Sequence, residues 1–135
     1  MKTKPILLAI LLFAACRKDN SSGENSTLNY ARLNVSVSLC DRQGSTFCDP
    51  FSDSLEAVPG ARVFLFEDKI FQEDGAPFVF DGTTNGQGQL TFTTLEKNEY
   101  WITVQLPSPD ERRQKDYVKT PLHTTNYFPI VFEKQ

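Results

Sequence analysis

Apolar positions fall into two regimes along the chain. From Pro5 to Ala15 they run without interruption, and from Tyr30 onward they alternate with polar ones. Leu33, Val35, Val37 and Leu39 are separated by Asn34, Ser36 and Ser38. A period of two sends neighbouring side chains to opposite faces, the pattern of a strand with one buried face. Further runs predict strands over Ala61–Glu67, Phe78–Asp81, Gln89–Thr94, Glu99–Leu106 and Tyr127–Glu133, with a short one over Tyr117–Lys119. β-branched and aromatic residues dominate them, as a pleated, half-buried surface favours. Pro59-Gly60, Asp74-Gly75, Asp81-Gly82, Asn85-Gly86 and Pro107-Ser108-Pro109 supply the turns between them. No stretch after Cys16 sustains a 3.6-residue period. The expectation is an all-β, antiparallel, seven-stranded β-sandwich over residues 30–135. Pro129 removes a ladder donor, so the last strand should be bulged or lie at an edge.

Within this pattern, Val58-Pro59-Gly60-Ala61-Arg62-Val63-Phe64-Leu65 resembles the opening of carboxypeptidase-regulatory-like domains. These are prealbumin-like (transthyretin-like) Greek-key sandwiches, related to Cna-B-like repeats. Thr84 to Phe92 is similar to their turn and following strand, and Phe92 to Tyr100 to the next turn. The resemblance covers roughly Leu33 to Val104. It implies the same sandwich, with Phe92, Leu95, Tyr100, Ile102 and Val104 facing Leu33, Val35, Val37, Val63 and Leu65. Gly88 falls where a tight hairpin needs φ > 0, and Asn98 takes a position usually held by Gly, which suits a left-handed turn.

The first regime has a different meaning. Lys2 and Lys4 precede an apolar run of 11 residues, Pro5 to Ala15, too short for the ~20 residues a spanning helix needs. It has the length of a signal-peptide core. Phe13-Ala14-Ala15-Cys16 resembles the lipobox of bacterial lipoproteins, with Phe13 where Leu is usual. The resemblance implies cleavage before Cys16 and covalent diacylglycerol and acyl lipid on its sulfur, an anchor by palmitate-type chains worth about 0.8 kcal/mol per buried CH₂. Residues 1–15 then form the signal peptide and residues 16–29 the lipidated Cys and a tether. Asp19 to Thr27 lacks apolar residues, and a coil of about ten residues reaches on the order of 15–20 Å. No Asp follows Cys16, which fits lipoproteins sorted to the outer membrane of a Gram-negative bacterium. Lys18-Asp19 resembles a surface-export signal, so the periplasmic and cell-surface faces both stay open.

Without Lys2 and Lys4 there are 12 basic and 17 acidic residues, a formal charge of −5. That argues against nucleic acid as a partner and against a polybasic second anchor. With Cys16 taken by lipid, Cys40 and Cys48 remain. A disulfide between them would contribute about 2–3 kcal/mol, and two free thiols are the alternative.

Reactive chemistry finds little support. His123 is the single histidine and has no nucleophile motif beside it. No catalytic residue and no resident cofactor is expected. An isopeptide cross-link to Asn126 is disfavoured because the first strand carries Arg32 and no Lys. Asp41, Asp49, Asp53 and Asp81 lack calcium-loop spacing and read as solvated turn carboxylates. The aromatics Phe64, Phe66 and Trp101 fall on outward positions and form the candidate binding surface. Exposed together they could hold a glycan or an envelope protein. The preferred reading has them covered by Asp68–Pro77 or by the tail after Pro107, with Ile70, Phe71 and Tyr117 as the covering residues.

The function expected is that of an outer-membrane-anchored lipoprotein carrying a non-enzymatic accessory or interaction module of the cell envelope. The alternative is a surface carbohydrate-binding component of a glycan-uptake system.

Overall fold

The computed structural model describes residues 29–41, 48 and 54–135. The expected signal peptide, the lipid site Cys16 and the tether up to Thr27 lie outside the described residues.

The chain forms two four-stranded sheets packed face to face. The first is built around β1 (Ala31–Asp41), whose alternation buries Ala31, Leu33, Val35 and Val37. Antiparallel β5 (Gln89–Leu95) and β2 (Ser54–Ala57) share one edge of β1 end to end, pairing with its first and last residues respectively. Along the other edge runs β8 (Thr125–Glu133), parallel to β1, from Arg32↔Thr125 to Cys40↔Glu133. The second sheet is antiparallel throughout, in the order β4 (Phe80–Thr83), β3 (Arg62–Phe66), β6 (Glu99–Gln105), β7 (Arg113–Lys119). Its Val63, Leu65, Tyr100, Ile102, Val104 and Val118 meet Leu33, Val35, Val37, Phe92, Leu95, Ile130 and Phe132 of the first in one core. All ten positions predicted to face one another are among these.

Two contacts fix the chain around the end of β2. Thr84 is buried just after β4. Its Oγ1 accepts from the Ala61 N–H at 2.9 Å and donates to the Val58 carbonyl at 2.7 Å, so one hydroxyl closes the Pro59-Gly60 turn. Gly88 (φ 74°) lies between the ends of β2 and β5, where its carbonyl accepts from the Val37 N–H at 2.8 Å. A Cβ there would sit 2.7 Å from the Val37 carbonyl oxygen, so close approach as well as positive φ requires glycine.

Among the described residues the sandwich has eight strands rather than the seven expected, and one pairing is parallel. The additional strand, β2, is Ser-Leu-Glu-Ala with all four residues exposed, so it offers no burial pattern to read. β7 extends over Arg113–Lys119 where only its last three residues were expected. Its first four residues are all exposed, so that half shows no alternation of buried and exposed positions. A six-residue helix, α1 (Lys69–Asp74), is also present. Asp68 caps it by accepting the Ile70 N–H, and Gly75 (φ 80°) ends it. It is too short to show periodicity, and the sequence offered Asp74-Gly75 only as a turn. Asn98 is not in the left-handed region. Among the described residues the positive φ values outside glycine are at Glu111 (59°) and His123 (70°).

Pro129 lies in an edge strand, as predicted. The Thr124 carbonyl accepts from Arg32 N–H, and Lys134 N–H donates to the Cys40 carbonyl. Even-numbered residues of β8 therefore turn their backbone groups toward β1, and odd-numbered ones turn them away. Pro129 removes an outward donor, and the outward Val131 carbonyl accepts from Gln114 Nε2 at 2.9 Å. The edge is thereby blunted against pairing with another strand.

Candidate functional site

A disulfide joins Cys40 and Cys48, with the Cα atoms 6.1 Å apart. It ties Cys48 to the end of β1. Asp49 and Asp53 lie outside the described residues. Among the described residues, no three His, Cys, Asp or Glu side chains cluster in a way that could hold a metal ion.

Phe64, Phe66 and Trp101 share the outer face of the second sheet, but they do not form one exposed surface. Phe66 is only 2% exposed and stands outside the central core. It shares a cleft of about 50 Å³ with Phe64, Gln72, Gly75, Thr103 and Arg113. Phe64 is half-buried against Phe78 (5.2 Å between ring centres), with the Arg62 guanidinium 4.8 Å from its own ring centre. Trp101 pairs with Tyr117 at 4.7 Å. The Tyr117 hydroxyl donates to Glu99 at 2.6 Å, and that bond raises the Tyr117 pKa.

The insert after β3 provides the cover, but not through the expected side chains. Ile70 is 62% exposed, and Phe71 is exposed as well. The buried residue of α1 is Gln72, whose Nε2 donates to the carbonyls of Ile102 (2.7 Å) and Asp116 (3.0 Å). A polar side chain thus clamps the helix to the sheet by satisfying backbone acceptors of β6 and β7. The nearby Thr103 Oγ1 is buried without a protein partner.

The other residues weighed in the sequence have structural surroundings. His123 occupies an exposed turn, its N–H donating to the Tyr30 carbonyl at 3.1 Å. Asn126 Nδ2 donates to the Arg32 carbonyl at 3.2 Å. Asp81 pairs with Arg62 at 3.3 Å. Asp110 receives two bonds from the Arg112 guanidinium (2.8 and 3.0 Å), which hold its carboxyl below the ordinary range.

Sequence reasoning missed a surface on the other sheet. Strand pairing aligns Tyr127, Asn34 and Thr91 in one row across its outer face, and Pro129, Ser36 and Gln89 in the next. Asn34, Ser36, Gln89, Tyr127 and Pro129, with Val35 and Phe128 beneath them, line a shallow cavity of about 280 Å³. Tyr127 is 75% exposed, the most exposed of the large apolar or aromatic side chains among the described residues. Alternation along β1 sets Asn34 and Ser36 apart from its apolar positions, but the continuous apolar run Tyr127–Phe132 of β8 shows no alternation that would place Tyr127 and Pro129 outward. The parallel pairing of β1 with β8, which brings the rows together, left no local signal. Compared with protein-family models and with curated proteins, the chain matches none.

Proposed function

We propose that this chain is an outer-membrane lipoprotein of a Gram-negative cell, held by lipid on Cys16, whose β-sandwich is a non-enzymatic accessory or interaction module of the envelope. The observation that carries this reading is the Cys40–Cys48 bridge. Disulfides persist in oxidising compartments, so the bridge supports export. It also leaves Cys16, of three cysteines in all, as the unmatched one. That cysteine ends an apolar run that begins after two lysines, and a polar segment separates it from β1. Lipid supplies location, the tether supplies reach, and the sandwich presents its faces. Phe66, enclosed under α1, gives no support to a glycan site made of Phe64, Phe66 and Trp101.

Metabolic labelling with a palmitate analogue, followed by membrane fractionation, tests the anchor. The full chain should carry label and sediment with outer membrane. Cys16→Ala should lose both, while Cys40→Ala with Cys48→Ala keeps the label. Unlabelled, soluble protein made in a Gram-negative host refutes the reading.

A further inference from the structure

We propose that the outer face of the first sheet is a binding site for a neutral saccharide, with the Tyr127 ring as its stacking platform and Asn34, Ser36 and Gln89 as its hydrogen-bonding groups. The site is independent of the lipid anchor and lies on the sheet opposite Phe64, Phe66 and Trp101.

The chemistry of the lining selects the ligand class. Charged residues make up 23% of the chain, yet none lines this cavity of about 280 Å³. An anionic or cationic ligand would find no counter-charge within it, and Arg32 stands beyond the Tyr127 row, opposite Thr125. A purely apolar ligand would strip water from the side chains of Asn34, Ser36 and Gln89 without replacing its hydrogen bonds. A neutral sugar meets both demands, because its C–H face suits an aromatic ring and its hydroxyls pair with amides and other hydroxyls. Tyrosine contributes an apolar body with a polar tip.

Geometry supports the same occupant. Three adjacent strands about 4.8 Å apart, with outward residues about 7 Å apart along each, give a grid of roughly 10 by 7 Å. Its β8 side carries the two rings, Tyr127 and Pro129, and its β1 and β5 side carries the amides and hydroxyls. Flat ring surface and polar rim therefore lie side by side. The Asn34 Oδ1 accepts from Thr91 Oγ1, which fixes the amide and leaves Nδ2 as a donor. Ser36 and Gln89 make no side-chain hydrogen bond among the described residues, so their polar groups are available. Asn34 and Ser36 sit on a strand paired along both edges, so the site is preorganised. A peptide strand is the poorer occupant, because Pro129 and the Gln114–Val131 bond blunt the adjoining edge.

Native gels containing soluble starch, mannan or mixed-linkage β-glucan, with polygalacturonate as the charged counterpart, test the site on the whole protein. At least one neutral polymer should retard the protein and polygalacturonate should not. Tyr127→Ala and Asn34→Ala should each weaken retardation at least tenfold, Tyr127→Phe should retain most of it, and Phe78→Ala on the other sheet should leave it unchanged. Circular dichroism of each variant checks the fold, which an exposed Tyr127 does not support. Absence of retardation by all three neutral polymers overturns the proposal, as does equal retardation of Tyr127→Ala. Stronger retardation by polygalacturonate overturns it in favour of an acidic glycan. Self-association in sedimentation, abolished by Tyr127→Ala without any retardation, overturns it in favour of a second copy of the chain.

Discussion

Two buried threonines show how differently one side chain can act at the residue scale. Thr84 satisfies both the Ala61 amide and the Val58 carbonyl. Thr84→Val keeps the shape and leaves both groups unpaired, which should cost about 2–4 kcal/mol in urea unfolding. Thr103 carries a buried hydroxyl without a protein partner, so Thr103→Val should be neutral or stabilising by up to about 1 kcal/mol in the same assay. Glycine substitutions should separate in a parallel way. Gly88→Ala meets both positive φ and the Val37 carbonyl, and should cost about 3 kcal/mol. Gly75→Ala has equally positive φ but open space around the added carbon, and should cost about 1–2 kcal/mol.

Tyr100 adds a pH dependence. Burial raises the pKa of its phenol, and the Glu67 and Glu96 charges add to this, while N–H bonds from Lys97 and Glu96 oppose it. A phenol held above its unfolded pKa contributes stability that is complete below pH ~10 and is lost as pH rises through the folded value. The urea midpoint should therefore fall above about pH 10. Tyr100→Phe should lower stability at neutral pH, because the amides of Glu96 and Lys97 lose their acceptor. It should also flatten the alkaline fall. Part of that fall should remain, because Tyr117 is shifted in the same direction.

Elements were legible where burial alternates along them. The residue pattern of β1, β3, β5, β6 and β8 was enough to locate those strands, and in β1, β3, β5 and β6 also their inward residues. Three elements escaped because they lack that contrast. All of β2 is exposed, the first half of β7 is charged and solvated, and α1 spans less than two turns. The parallel pairing of β1 and β8 depends on residues about ninety positions apart and has no local signature. For the same reason the rows containing Tyr127 and Pro129 could not be assembled from sequence. The burial of Gln72 reversed the reading of its insert, where apolar neighbours had been expected to do the covering. Pro129 tests whether an element's defence is local. Pro129→Val would restore an outward N–H in the middle of β8 and should promote edge-to-edge dimers at high concentration, visible in sedimentation velocity. Pro129→Lys restores the N–H with a charge and should associate no more than the parent protein.

In the whole molecule, the chain enters the sandwich at the start of β1 and leaves it at the end of β8, on adjacent parallel strands. Nine registered residue pairs link these two strands, from Arg32↔Thr125 to Cys40↔Glu133. Because the strands run the same way, the beginning of one and the end of the other lie at opposite ends of the ladder. Tension between the two termini would therefore load the ladder in shear, with its hydrogen bonds sharing the force rather than peeling open one after another. A domain stretched between a fixed point before β1 and a load after β8 would meet this force along its longest and most continuous pairing.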